Sequence, residues 1–241
     1  MGRAYHRVPW RAAVSGADMQ VPDIPAVLII AAVLGLLPLI VVMTTSFTKI
    51  SIVLVLLRNA LGVQQAPSGM AISGLAMAAT LMIMAPVWQQ IASRLDIISI
   101  IEGHSKPMMA DVMDATRAPL EAFMRKHVDG MEFDSLQKLV KDMHFSGNDD
   151  PADASAEHSD EEGPVLVAAF TISEIAQAFK IGMFLSIGFA VIDLIVANLL
   201  MAMGMSMFPP STVSVPLKLL VFVTTTGLSR LMHSLIASYP P

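Results

Sequence analysis

The sequence has no cysteine among its 241 residues, which removes disulfide frameworks, zinc–thiolate sites, iron–sulfur clusters and thiol nucleophiles together. It is also poor in charge. Only 15% of its residues are Asp, Glu, Lys or Arg, against roughly 25% in an ordinary soluble domain, too few to coat a particle of this size in water. Basic residues are not in excess either: the net charge is −5 and the pI about 5.6, which argues against nucleic-acid binding through clustered Lys and Arg. HExxH and GxSxG are absent, the six histidines are scattered, and Asp149, Asp150 and Asp153 lack the glycine and closing glutamate of an EF-hand. No constellation of nucleophile, base or metal ligands marks an enzyme, and no cofactor is expected.

What is present is apolar. Hydrophobic residues make up 54% of the chain and the mean hydropathy is +0.64, a membrane-type composition. Ile24 to Met43, Asn59 to Ser93 and Leu194 to Leu217 carry no charge over 20, 35 and 24 residues, each enough for a spanning helix of ~20 residues. Backbone at that depth must satisfy its own hydrogen bonds, so these runs are expected to be helical and the fold all-α. Four apolar units emerge, 24–61, 69–92, 165–207 and 212–237. Proline marks where the long ones are expected to bend: Pro38 in the first, Pro86 in the second and Pro216 in the fourth. Gly62 to Gly69 is the expected turn of one hairpin, and Pro209-Pro210 the reversal of another.

The charges sit elsewhere. Residues 93–164 hold 16 of the 20 acidic residues and 7 of the 15 basic ones, a net of −9. Helical apolar spacing over Ser93–Glu102, Met108–Val128 and Phe133–Phe145, the last with Phe133, Leu136, Leu139, Val140 and Met143 on one face, predicts a small helical soluble insert over 93–146. The stretch 147–163 has many acids, no large apolar residue and no basic residue, which predicts a flexible acidic linker. The organisation expected is an arm over 1–23, a hydrophobic hairpin over 24–92, the insert, the linker, and a second hairpin over 164–241. Residues 1–18 carry Arg3, Arg7 and Arg11 but no apolar core of signal-peptide length. Met19 as an alternative start and a short disordered basic arm both remain open readings.

Six charges lie in apolar surroundings: Lys49, Arg58, Glu174, Lys180, Asp193 and Lys218. An unpaired charge there costs ~2.5–3.5 kcal/mol on insertion scales, so each needs a partner, water, or a helix end from which to snorkel. Glu174 and Lys180 are six residues apart, about 120° around a helix. Partners on another hairpin or another subunit are expected instead, with these charges at subunit contacts. Met201, Met203, Met205 and Met207 alternate, with Gly204 among them and Phe208-Pro209-Pro210 after. Alternation does not make one helical packing stripe, so a loop presenting soft thioethers is expected, beside the plainer reading of a Met-rich turn packed in the core.

The stretch Met43 to Pro67 (MTTSFTKISIVLVLLRNALGVQQAP), together with FTISEIAQAFKIGMFLSIGFAVIDLIVANLLMAMGMSMFPP at Phe170 to Pro210 and VPLKLLVFV at Val215 to Val223, resembles the SctR/FliP family of type III secretion export-gate proteins. The likeness covers 24–104 and 165–225, plus a weaker PLEAFMRKH at Pro119 to His127. The resemblance implies a subunit of a closed, conical helical pore for unfolded proteins leaving the bacterial cytoplasm. Its partners would be further copies of itself, five in the family, with SctS/FliQ-like and SctT/FliR-like subunits and the SctU/FlhB-like switch protein. It implies an inner-membrane location with the insert on the periplasmic side. The family's pore gasket maps to Met205, Ser206 and Met207. Two departures stand out: Ser206 replaces the middle methionine, and TTTGLSRL at Thr224 to Leu231 replaces a segment closer to VDGW. The missing apolar core in residues 1–18 favours the virulence branch over the flagellar one. The rival readings are a self-sufficient ion or solute transporter coupling through Glu174 and Asp193, and a membrane anchor presenting the insert.

Overall fold

The computed structural model describes residues 24–63, 67–95, 109–144, 154–205 and 207–240. Among these there are eight helices and no strand: α1 (Ile24–Thr44), α2 (Phe47–Leu61), α3 (Gly69–Leu95), α4 (Met109–His127), α5 (Gly130–His144), α6 (Ala154–Ala202), α7 (Ser211–Thr224) and α8 (Gly227–Ala237). The all-α expectation holds. The chain divides into two compact units, residues 1–40 and 41–241.

In the first unit, the part of α1 up to Ile40 is apolar all round, and Leu28, Leu34, Leu36, Leu37, Leu39 and Ile40 are exposed. A helix without a polar face is suited to an apolar surrounding.

The second unit is built around α2 and α6. Ile50, Val53, Leu54, Leu57 and Leu61 recur at three- and four-residue steps and are buried, which gives α2 one core-facing stripe. Gly62 ends it in the left-handed region, φ 78°, with its N–H donating to Asn59 O at 3.0 Å. In α3 the buried residues Ile72, Ala76, Ala79, Ile83, Val87 and Ile91 keep the same spacing. The two chain segments read as separate hairpins interleave, because α2 packs most extensively along α6. They approach closely at Gly182, where an added Cβ would lie 2.2 Å from Leu56 Cδ1.

Helices α3 and α6 are each long and apolar enough to cross a bilayer, α6 from Glu162. The count rises to four if 34–61 and 211–237 are each one broken span.

The expected bends are displaced. Pro38, Pro86 and Pro216 all lie inside helices, whereas the apolar stretch 24–61 breaks at Thr45-Ser46 and the stretch 212–237 at Thr225-Thr226. Hydroxyl side chains compete with the backbone at both places. Thr48 Oγ1 donates to Val42 O at 2.8 Å, and Thr225 Oγ1 to Val221 O at 2.8 Å. Thr226 takes φ 51°, the only positive φ at a non-glycine among the described residues, and α7 and α8 meet there at 61°.

Helices α4 and α5 fall where the spacing predicted helices over Met108–Val128 and Phe133–Phe145; of the helix expected over Ser93–Glu102, residues 93–95 are the end of α3 and 96–102 lie outside the described ones. Asp129 accepts the Met131 N–H at 3.0 Å and starts α5. Arg125, Lys126 and His127 occupy the last turn of α4, where positive charge suits the helix dipole. The apolar face of α5 is only partly used: Phe133, Leu136 and Val140 are half-buried, but Leu139 and Met143 are exposed. Within the expected linker, 147–153 lie outside the described residues, but 154–163 are the first turns of α6. Acidic side chains are favoured at a helix N-terminus, and Glu162 pairs with Arg125 of α4 at 2.6 Å.

Candidate functional site

Four of the six charges pair inside the chain, Lys49 with Glu174 across the two hairpins and Lys218 with Asp193 within the second. Lys49 on α2 lies 3.8 Å from Glu174 on α6, with side chains only 3% and 1% exposed. Its ammonium also donates to Gln177 Oε1 at 2.8 Å and sits 4.5 Å over the ring of Tyr239. The Tyr239 hydroxyl donates to the other carboxylate oxygen of Glu174. A salt bridge this deep is favourable only when the remaining valences are satisfied; Gln177 and Tyr239 meet part of that need, while Glu174 Oε1, the oxygen facing Lys49, is buried and accepts no hydrogen bond.

Tyr239 follows α8 and is two residues from the last one in the sequence. Its ring stacks on Phe123 of α4 at 6.1 Å and lies 5.2 Å from the ring of His127. One buried node therefore joins α2, α4, α6 and the C-terminal segment. Burial, then the adjacent Glu174 carboxylate, pushes the Tyr239 hydroxyl far above the usual tyrosine range, so it remains a donor.

A second pair lies farther along α6. Lys218 on α7 is 2.5 Å from Asp193 Oδ2 and donates to Ala60 O at 3.2 Å. Lys218 is buried, whereas the Asp193 side chain is 46% exposed and borders a cleft of about 490 Å³ with Asn59, Ser186 and Ser211.

Two of the six charges behave differently. Lys180 is exposed, two residues and so about 200° around the helix from buried Ala178. Arg58 is half-buried in the last turn of α2, and its Nε is buried without a hydrogen-bond partner.

Glu174 and Asp193 are 19 residues apart on one helix, about 28 Å at 1.5 Å per residue. Each is tied to its own lysine, so they do not form a coupled carboxylate pair. Among the described residues, no three His, Asp or Glu are placed to hold a metal ion.

The methionines sit at the end of α6. Gly204 N–H donates to Met201 O and Met205 N–H to Leu200 O, both at 3.0 Å, with Gly204 at φ 78°. This is a Schellman closure, with glycine at the left-handed position. Met201 is still in the last helical turn, so the loop begins after it. Met201, Met203, Met205 and Met207 are all exposed, Met207 to 99%. Ser206 lies outside the described residues. The alternative of a Met-rich turn packed into the subunit's own core is not what these side chains do.

Sequence reasoning missed Gln177, Tyr239, Phe123 and His127. A lone tyrosine beside the chain end carries no periodic signal, and only the three-dimensional packing brings it to Glu174.

The sequence matches the FliP family over residues 30–235. It is 38% identical over 222 residues to the hypersensitivity response secretion protein HrcR of Ralstonia nicotianae, covering 92% of this chain and 100% of that protein. It is 39% identical over 225 residues to the Yop proteins translocation protein R of Yersinia pestis, covering 92% and 99%. With the virulence protein YscR of Salmonella typhimurium the identity is 36% over 223 residues, covering 92% and 100%. The chain thus belongs to the FliP family, in the virulence-associated type III secretion branch that includes HrcR and YscR.

Proposed function

We propose that this chain is a pore-forming subunit of a type III secretion export gate, which holds a conduit shut until a secreted, unfolded polypeptide opens it. At the coarser level it is a membrane component of a secretion apparatus and not an enzyme, as its family and relatives indicate.

The observation that carries the reading is the long unpartnered apolar face of α6, which ends in the methionine loop. Phe184, Ile187, Val191, Leu194, Ile195 and Leu199 are all more than half exposed in the single chain. Contiguous apolar surface of this extent marks a protein or membrane contact. The loop at its end presents flexible thioethers, which adapt to irregular partners and suit a seal that must yield to many sequences. Met205, Ser206 and Met207 are assigned to that seal. The partners are further copies of the same chain, five in all, with SctS/FliQ-like, SctT/FliR-like and SctU/FlhB-like proteins. The site of action is the bacterial inner membrane, with the insert on the periplasmic side.

Native mass spectrometry of the detergent-purified protein, alone and co-expressed with the candidate partners, tests this. A defined homo-oligomer that takes up the small subunits supports the assignment. A monomer under both conditions contradicts it.

A further inference from the structure

Tyr239 and Pro240 line a cleft between α3 and α4 with a volume of about 170 Å³, and His127 lies in its wall with Gln90, Phe123 and Lys126. His127 Nδ1 is 2.8 Å from Phe123 O. A carbonyl only accepts, so Nδ1 carries the proton and Nε2 the lone pair. Nε2 is buried and has no hydrogen-bond partner. The imidazole is thus built into the wall as a neutral ring, packed at 4.5 Å on Phe123 and 5.2 Å on Tyr239.

The groups facing it decide what a second proton would do. Lys49 of α2 already holds the ring of Tyr239 at 4.5 Å, and Lys126 is the preceding residue on α4. Glu174 of α6 is the nearest acid of the node, but it is engaged by Lys49 and by the Tyr239 hydroxyl. From α3 the cleft receives Gln90 and no ionisable side chain, and among the described residues the tail contributes the Tyr239 ring and the Pro240 carbonyl. Burial holds the imidazole below the ordinary histidine value, both lysines push the same way, and the Phe123 and Pro240 carbonyls offset this only in part. A charged ring here would be a third cation around one tyrosine.

We propose that the C-terminal segment is a proton-operated latch: protonation of His127 expels Tyr239 from the α3/α4 cleft and releases α4 from the Lys49–Glu174 node. The device adds one tie between the insert and the hairpins when closed and removes that tie when open, while the Arg125–Glu162 pair stays in place. It needs no residue of the methionine loop.

The absence of native cysteine makes the test direct. A nitroxide is attached to S238C, an exposed position beside Tyr239, in the detergent-purified full chain, and its mobility is followed by electron paramagnetic resonance from about pH 8 to about pH 5, spanning the ordinary imidazole value near 6.5. The label is expected to be immobilised at the alkaline end and to become mobile below that value. Adding H127Q should leave it immobilised throughout, and adding Y239A should leave it mobile throughout. Mobility unchanged by pH in the parent, or a transition that survives H127Q, overturns the proposal. Should H127Q not fold, K126Q replaces it, and the midpoint must then move to higher pH; an unmoved midpoint also overturns the latch.

Discussion

Lys218 and Asp193 form a pair with unequal exposure: the ammonium is 2.5 Å from the carboxylate and buried, while the carboxylate side chain is 46% exposed. The loss of one partner is therefore not equivalent to the loss of the other. Asp193→Ala leaves a buried ammonium donating to Ala60 O without its carboxylate, and should destabilise the subunit by about 3 kcal/mol, the lower end for a broken buried pair. Lys218→Ala leaves a carboxylate that can still be solvated, and should cost no more than about 1 kcal/mol. Denaturation in mild detergent, read by circular dichroism, measures both. Equal losses would show that exposure does not set the asymmetry.

The crossing of α2 and α6 is predicted to depend on Gly182. A Cβ there would meet Leu56 Cδ1 at 2.2 Å and Leu56 Cβ at 2.9 Å, the second too close to the backbone to be relieved by a rotamer alone. Gly182→Ala should lower stability by about 1–3 kcal/mol, the usual range for overpacking. Leu56→Ala placed in the same chain should recover part of the loss. If the double variant is as unstable as the sum of the singles, the two residues are not the point of contact.

Tyr239→Phe keeps the ring over Lys49 and removes the donor to Glu174. Loss of a buried donor to a charged acceptor is expected to cost about 1–3 kcal/mol near neutral pH. The pH dependence has a definite sign. The folded state holds the Tyr239 proton more tightly than the unfolded chain does, so its contribution is complete below the unfolded tyrosine value of about 10 and declines as pH rises above it. Alkaline unfolding curves of parent and Y239F should therefore converge above that value. Curves that stay parallel would mean that Tyr239 titrates as it does when exposed.

Replacing Met205 and Met207 together with Ala should leave subunit assembly intact, because both side chains are exposed and the Schellman hydrogen bonds use only backbone. Small-ion leak through the assembled complex should rise. Ser206→Met should lower the leak or leave it unchanged. Normal assembly with unaltered conductance in the double variant would remove these residues from the seal.

The helices were legible in the sequence because hydropathy and three- to four-residue spacing report burial directly, as in α2 and α3. Their breaks were not. Proline is a strong breaker by reputation, yet Pro38, Pro86 and Pro216 are all accommodated in helices, and the interruptions fall at Thr45-Ser46 and Thr225-Thr226, where the hydroxyls of Thr48 and Thr225 bind backbone carbonyls of the preceding helix. Lys49 and Glu174 could each be recognised as needing a partner, but 125 positions separate them, and spacing along a chain says nothing about meeting across a fold. The beginning of α6 was misjudged for a different reason. Its acidic composition lacks apolar anchors, but a helix already nucleated downstream can extend into it at little cost, since propagation is far easier than initiation.

The length of α6 works as a ruler. From Glu162, which pairs with Arg125 of the insert, to Ala202, where the methionine loop begins, there are 40 residue steps, or about 60 Å of continuous helix. A bilayer's hydrocarbon core is only about 30 Å thick. The two ends cannot both lie at its surfaces unless the rod is steeply tilted, so an upright subunit must carry one of them well clear of the lipid. A displacement imposed on the insert would then reach the methionine loop along a single helix that is unbroken from Glu162 to Ala202.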